Sequence, residues 1–475
     1  MIFDNKGHKS MHTMKMTSKA CLLGLLLPIL AQGQEAGLLR MNRETAVSGT
    51  DAAIFGGVEE GWFRPTYAGT FQWNAGAEAK TVRHGKKTSW TGSISLQQMM
   101  GYNMGSSMLL DPGYFPVDIL DAAEGTKSRE TGKLEGSFLT DLGYEWAAGL
   151  KASAQVDYMT KQRDIKHSSF GVDAKLEPTV TYVMDDDMGL VSSYHARVRM
   201  EWLRIGQRED GAQPFLDMGM RIGAYENIEQ FPILEIAHGF NELLYMPELN
   251  AEFGITWKRG WAGRLDLSRF RFPGSTLHAG FGQTFQADNL DHVYHIAYQR
   301  ERDQLREPTS EGRGFNSLYG RYRRNLDLEY GIRFLHGVVK RVGVELGGNQ
   351  WKEQGLMPQQ PDAAQWYDGM AKLLASFSFG PVDLDLNGLA AQGWWKDRGR
   401  IENTPVPGRL MSDWLRNMDY RTAPRIGVGG TITVRIPGVK GLYAQLDGSW
   451  LHALSVVYAG GQNRETGMLR IGYKF

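Results

Sequence analysis

Asn325-Leu326-Asp327-Leu328-Glu329-Tyr330-Gly331-Ile332-Arg333-Phe334 places Leu326, Leu328, Tyr330, Ile332 and Phe334 on one side of an extended chain. Asn325, Asp327, Glu329, Gly331 and Arg333 fall on the other. Side chains of a strand alternate with a period of 2, so the segment is a two-faced strand; a helix would scatter both sets around its axis. One face is apolar and the other charged. The apolar face needs a partner layer, either a second sheet or lipid.

The pattern recurs on both sides of this segment. Leu150, Ala152, Ala154, Val156 and Tyr158 interleave with Lys151, Ser153, Gln155 and Asp157. Ala196, Val198, Met200 and Trp202 alternate with Arg197, Arg199 and Glu201, and Ala251, Phe253, Ile255 and Trp257 flank Glu252, Gly254 and Thr256. Val172 to Tyr182 and Ile426 to Ile436 repeat it, the latter closed by Arg435; Pro178 interrupts the former and predicts a bulge or a boundary there. From about residue 69 to Phe475 no shift in composition marks a second domain.

Connections come in two sizes. Short ones are expected at 379–381, 336–337, 258–260 and 437–441, and long ones at 104–129, 226–246, 304–316, 353–368 and 397–423. Outer-membrane barrels carry short periplasmic turns and long outer loops. The C-terminal run alternates Leu469, Ile471, Tyr473 and Phe475 with Arg470, Gly472 and Lys474. A last strand ending in an aromatic residue is the kind of signal that barrel-insertion machinery reads, which makes that machinery an expected partner through Phe475. The fold expected is all-β: an antiparallel transmembrane β-barrel of about 16 strands (14–18) in the bacterial outer membrane, in contact with its lipid. Strand parity counted from the two ends disagrees by one, which points to an error in 226–246 or 270–290.

Composition agrees. The 475 residues hold 53 Lys+Arg against 53 Asp+Glu, so bulk charge calls for no nucleic acid or other polyanion. The 58 glycines and 11% aromatics suit short turns and interfacial rings. Beyond the first thirty residues no run approaches the ~18 apolar residues of a spanning helix. Residues 1–33 read as a signal peptide: Lys15 and Lys19, then Leu22–Leu30, then Ala31-Gln32-Gly33. Translation is expected to start at Met14 or Met16. Cys21 precedes the apolar run, which excludes lipidation there, and the mature chain is left without disulfides. Residues 34–68 are expected to form an N-terminal periplasmic segment or plug, and 69–475 the barrel.

The lumen face is expected to carry Lys151, Asp157, Arg197, Arg199, Glu201, Glu252, Asp327, Glu329, Arg333 and Arg435. These charges would either sort solutes across a wet pore or knit into salt bridges that fill a plugged one. Metal and catalytic readings are weaker. Asp291 and His295 share a face but His292 does not, leaving too few ligands. Arg163 to His167 reads as a charged loop tip and Asp185-Asp186-Asp187 as a solvated turn. No Gly-x-Ser-x-Gly elbow occurs, so neither an enzyme nor a cofactor is expected. The apolar segments 104–129 and 226–246 must pack on something: the barrel mouth as a constriction, a partner protein, or each other.

Asp111-Pro112-Gly113-Tyr114-Phe115-Pro116 through Leu120, followed by Ser128-Arg129-Glu130-Thr131, forms one distinctive motif. Lys161-Gln162-Arg163-Asp164 and His167, after a strand ending in Tyr158, form a second. With these the chain resembles an uncharacterised outer-membrane β-barrel family of Bacteroidota, a domain of unknown function. The resemblance implies the barrel and its location, no activity and no functional residues, and it suggests a TonB-dependent receptor as companion. Two functions follow: a solute channel or accessory of nutrient uptake, or a plugged barrel whose surface loops bind a partner.

Overall fold

The computed structural model describes residues 48–475 apart from 186–187, 210–211, 220–221, 225–228, 247, 264–269, 288, 310–313, 357–362 and 399–407. The expected signal peptide and residues 34–47 lie outside the described residues.

Seven strands open the chain: β1 (Gly49–Gly61), β2 (Phe71–His84), β3 (Thr88–Ser107), β4 (Asp118–Gly143), β5 (Trp146–Lys161), β6 (Ile165–Asp185) and β7 (Met188–Arg208). A short hairpin follows, β8 (Pro214–Asp217) and β9 (Ile222–Ala224). Eleven more strands complete the series: β10 (Gln230–Tyr245), β11 (Leu249–Ala262), β12 (Phe270–Ala287), β13 (Leu290–Pro308), β14 (Phe315–Phe334), β15 (Val339–Gly355), β16 (Ala363–Phe379), β17 (Val382–Arg398), β18 (Arg425–Arg435), β19 (Leu442–Ala453) and β20 (Asn463–Lys474). A helix, α1 (Gly408–Thr422), interrupts the connection between β17 and β18.

Each wall strand pairs antiparallel with the next, β7 pairs with β10, and β20 returns to β1 with Ile54 opposite Ile471. The result is a closed barrel of 18 wall strands, with the β8–β9 hairpin standing off the wall on the first residues of β4. Closure leaves no unpaired edge. The outside is apolar: Leu96, Leu134, Val156, Val198, Phe253, Leu328, Leu346, Leu373, Val428 and Leu469 all stay exposed. A closed antiparallel barrel with that exterior satisfies every backbone group internally while facing lipid, which is the architecture of the bacterial outer membrane.

Connections alternate strictly between the two ends. The end holding the C-terminus of β20 has the tight turns. At one of them Tyr144 and Glu145 both adopt positive φ (47° and 70°), the type I′ geometry that matches strand twist. At another, Gly380 (φ 64°) precedes Pro381. The opposite, outer end carries the connections that follow β1, β3, β7, β17 and β19.

Several expectations are corrected. The wall begins at Gly49, so Gly49–Gly61 is the closing strand and the 69 boundary moves. Gln230–Tyr245 is wall strand β10, which supplies the missing strand of the parity count. The 104–129 connection shrinks to 108–117, and Lys258–Gly260 lies inside β11. Pro178 makes no bulge: the β6–β7 register is the same on both sides of it, with only the 177–178 pairings absent. Ile165 to His167 belongs to β6, and His167 is buried.

Candidate functional site: the loop and helix inside the outer mouth

The connection 108–117 turns inward because β3 is bent before it begins. Two register shifts, at Gly101/Met104 and Met104/Ser106, coincide with positive φ at Asn103 and Ser106 (57° each). The strained residues are held from outside the strand. Arg64 donates to the Asn103 carbonyl (2.9 Å), and the Ser106 hydroxyl donates to Asp413 of α1 (3.0 Å).

At its tip the loop makes a turn from Asp111 to Tyr114, whose N–H donates to the Asp111 carbonyl (3.1 Å). Pro112 and then Gly113 (φ 75°) at the central positions are the signature of type II, which needs a residue free to take positive φ in third place. Arginines from one side of the wall then seize the turn from β14. Arg321 donates to the carbonyls of Gly113 (2.7 Å), Tyr114 (2.6 Å) and Phe115 (3.2 Å) while paired to Asp303 of β13 (2.7 Å). Arg323 also donates to Gly113 (2.7 Å). From the far side, Arg129 of β4 and Arg199 of β7 both bind the Asp111 carboxylate. Glu201 accepts the Leu110 N–H (2.6 Å), and the Tyr114 hydroxyl donates to Glu235 of β10 (2.6 Å) while Arg197 donates to it (3.1 Å). The Arg199 guanidinium lies 3.9 Å over the Tyr114 ring. One turn touched from β4 and from β14 can only lie within the barrel.

Burial raises the Asp111 carboxyl, but Arg129 and Arg199 outweigh it and hold the group below the usual carboxylate range. Burial and the nearby Glu235 push the Tyr114 phenol up to about 12. Behind the polar turn the loop is apolar. Met108, Leu109, Phe115, Val117 and Ile119 form one core with Leu203, Leu216, Phe231, Ile233, Phe272 and Leu305. The outer mouth on this side is therefore a dry plug.

Helix α1 closes the other side. Asp413 and Arg416 pair (2.7 Å), and Arg416 also holds Glu124 of β4 (2.6 Å). Asn417 accepts the Thr66 N–H (2.8 Å), and Asp419 accepts backbone N–H groups of Val457, Tyr458 and Ala459 from the 454–462 loop, a nest for one carboxylate. Arg425 caps the last turn by donating to the carbonyls of Tyr420 and Arg421. Between α1 and the loop tip lies a cavity of about 170 Å³, walled by Phe115, Tyr319, Arg321, Trp351, Trp366, Trp395, Asp413, Trp414 and Arg421, among others.

The ten charged residues expected on the lumen face divide into two groups. Asp157, Arg197, Arg199 and Glu201 serve the plug, Asp157 by accepting from Arg129 (3.0 Å). Lys151, Glu252, Asp327, Glu329, Arg333 and Arg435 lie toward the inner end. There charges pair along the wall between neighbouring strands: Lys151 with Glu135 (3.1 Å), Lys372 with Glu345 (2.9 Å), Arg341 with Glu329 and Arg435 with Asp383. Asp291 and Arg333 are 3.9 Å apart; Glu252 packs over Gly280 and Asp327 beside Gly347.

Alternation alone does not single out Arg321, Arg323, Lys258, Glu235 or the tryptophans of the cavity. The Asp-Pro-Gly turn was readable, but its destination was not. His292 stacks on Tyr330 and bonds it through Nδ1 (2.9 Å) on the outer face, apart from Asp291 and His295. Among the described residues no group of three or more His, Cys, Asp or Glu is placed to hold a metal ion. Ser193 and His195 share the lumen face of β7, yet Ser193 donates to Glu177 (3.0 Å) and His195 pairs with Thr256 (2.9 Å), so no serine–histidine dyad forms there.

No family model and no curated protein matches the chain. Among solved structures, the FrpB iron transporter from Neisseria meningitidis (F5-1 variant) is 8% identical, with 92% of this chain and 83% of that chain covered and a TM-score of 0.48. The copper transporter OprC is 8% identical over 90% of this chain and 80% of that chain, TM-score 0.43. OccK5 (OpdH) of Pseudomonas aeruginosa is 8% identical over 90% and 98%, TM-score 0.35. With identities of 8% and TM-scores below 0.5, these likenesses carry no assignment, and the barrel stands on its own hydrogen-bonded closure.

Proposed function

We propose that this protein is a gated outer-membrane channel for a selected solute, closed at its outer mouth by the 108–117 loop and α1. One observation carries the reading: the apolar residues of the loop fold into the lumen, while a set of arginines holds its polar tip. A loop built to bind a surface partner would leave Leu109, Phe115 and Val117 outside, and all three are buried. Polar latches can open without unmaking the wall, because every wall strand keeps its own ladder. Below the plug, an 18-stranded barrel is wide enough for an aqueous path. Charges paired along its wall leave little net field, so weak ion selectivity is expected there. Insertion through the Phe475 signal, the Bacteroidota resemblance and a TonB-dependent receptor as companion in nutrient uptake belong to this proposal. Copurification from the native membrane tests the last of these.

The experiment is single-channel recording in planar bilayers. Wild-type barrel is expected to give small or infrequent openings, and a variant with residues 110–116 replaced by a short glycine-serine link large, stable steps. A folded loop-replaced barrel that stays silent would overturn the channel reading in favour of a plugged scaffold. Large, stable steps from the wild type would remove the gate.

A further inference from the structure

We propose that the membrane-side face of β11–β15, near its outer end, binds the phosphate groups of a lipid headgroup in the outer leaflet. Strand alternation turns Arg259 of β11, Arg271 of β12, Arg300 and Arg302 of β13, Arg324 of β14 and Lys352 of β15 to the outside of the wall. All five arginines are exposed. The ladder draws the charges together. Arg300 stands directly opposite Arg324, and one step further out Arg302 and Lys352 lie on either side of Tyr322. Like charges placed opposite each other across a ladder repel. Inside the barrel, Lys151, Arg341 and Lys372 meet carboxylates of the next strand. None of the six outward cations makes an ion pair among the described residues. No outward-facing strand residue from β11 to β16 is Asp or Glu.

Their height is that of lipid headgroups. Below Arg324 the outward residues of β14 are Leu326, Leu328, Tyr330, Ile332 and Phe334, the last beside the inner turn. About ten residues of strand rise roughly 33 Å, or about 25 Å across a membrane at a tilt near 40°, which is the height of the apolar band of such barrels. Arg300 and Arg324 therefore stand where hydrocarbon gives way to headgroups, and the other four just beyond. The basic arc is local: on another part of the wall, Glu60 of β1 faces Glu465 of β20 at a similar height. Aromatic rings hold two of the guanidinium groups, Arg271 at 4.0 Å from the Phe315 centroid and Arg302 at 5.4 Å from that of Tyr322. Guanidinium groups take phosphate oxygens through paired N–H donors, and an anionic leaflet draws basic clusters to its surface. Phosphate carried on a lipid matches both the charge and the height of the arc. A soluble anion matches only the charge.

The test is native mass spectrometry of the full-length barrel, refolded in a non-ionic detergent and titrated with bisphosphorylated lipid A, its dephosphorylated form or inorganic phosphate. The bisphosphorylated lipid is expected to bind at least tenfold more tightly than the dephosphorylated one. Arg300→Gln with Arg324→Gln should weaken it about tenfold or more, the loss of charge-assisted contacts, and Arg302→Gln with Lys352→Gln likewise. Lys340→Gln, exposed at the inner end of β15, should leave it unchanged. Heat-modifiable gel migration shows which variants are folded, and either double variant suffices. Equal affinity for the two lipids, or an affinity unaltered in the folded double variants, would overturn the proposal. So would inorganic phosphate binding as tightly as the lipid, which would make this a site for free phosphate. A doubled protein mass in place of bound lipid would give the face to a second copy of the chain, and would overturn it too. The readout is lipid binding and not conductance, so this inference and the channel reading fail separately.

Discussion

Arg321 shows how much of the gate rests on single side chains. It is almost wholly buried, and it neutralises Asp303 while donating to three carbonyls of a loop that belongs to another part of the chain. Arg321→Ala leaves Asp303 without the guanidinium that donates twice to its Oδ2, a loss of about 3–5 kcal/mol for a buried pair. The low end applies because Lys258 remains 3.3 Å from Asp303. Loop release is expected, read as a several-fold rise in open probability with the barrel still heat-modifiable. Asp111 adds a pH dependence. Its carboxyl is held below its ordinary range, so its contribution is complete above the unfolded value of about 3.9 and fades only as pH falls through the lower folded value. Conductance should therefore stay low from neutral pH down to about 4 and rise below it. Asp111→Asn should open more readily at every pH in that range; a wild-type transition near pH 6 would assign the latch to another group.

At the scale of elements, β10 explains where alternation stops being legible. Its lipid side presents Ile236 and Phe240, and its lumen side presents Phe231 and Ile233 to the plug core. With both faces apolar, the period of 2 disappears and the strand reads as an apolar connection. The first residues of β4, Ile119 and Leu120, are hidden by the same core. Tight packing between strands makes a second prediction. A Cβ on Gly239 would stand 1.9 Å from the Ile255 carbonyl oxygen on neighbouring β11, whereas one on Gly388 meets nothing within 4 Å. Gly239→Ala is expected to cost at least the ~1–3 kcal/mol of overpacking and to lower the yield of heat-modifiable barrel. Gly388→Ala should refold like the wild type. Equal yields would mean the β10–β11 ladder can shift to make room.

For the molecule as a whole, β1 decides whether there is a barrel at all. It pairs with β2 on one side and β20 on the other, so one strand near the start of the chain joins residues more than 400 positions apart. Deleting 49–61 would expose two edges and bring lipid against unpaired backbone groups, each costing several kcal/mol. Loss of all heat-modifiable product is expected, where deletion of the β8–β9 hairpin, which stands off the wall, should leave a folded barrel with a looser mouth. Recovery of a folded barrel without β1 would show that β2 and β20 can close directly.

Local periodicity was enough to establish the barrel and to put Lys151, Arg197, Glu201 and Asp327 on the charged face of their strands. Those properties repeat every two residues or every hairpin, so each is written in a short window of sequence. What only the tertiary structure decided is which interior charges hold a plug and which line a pore, and where four tryptophans converge. Asp111 meets Arg199 across 88 positions and Gly113 meets Arg321 across 208. Such pairs depend on how far around the wall a loop reaches, and closure of the barrel sets that distance where no local pattern records it.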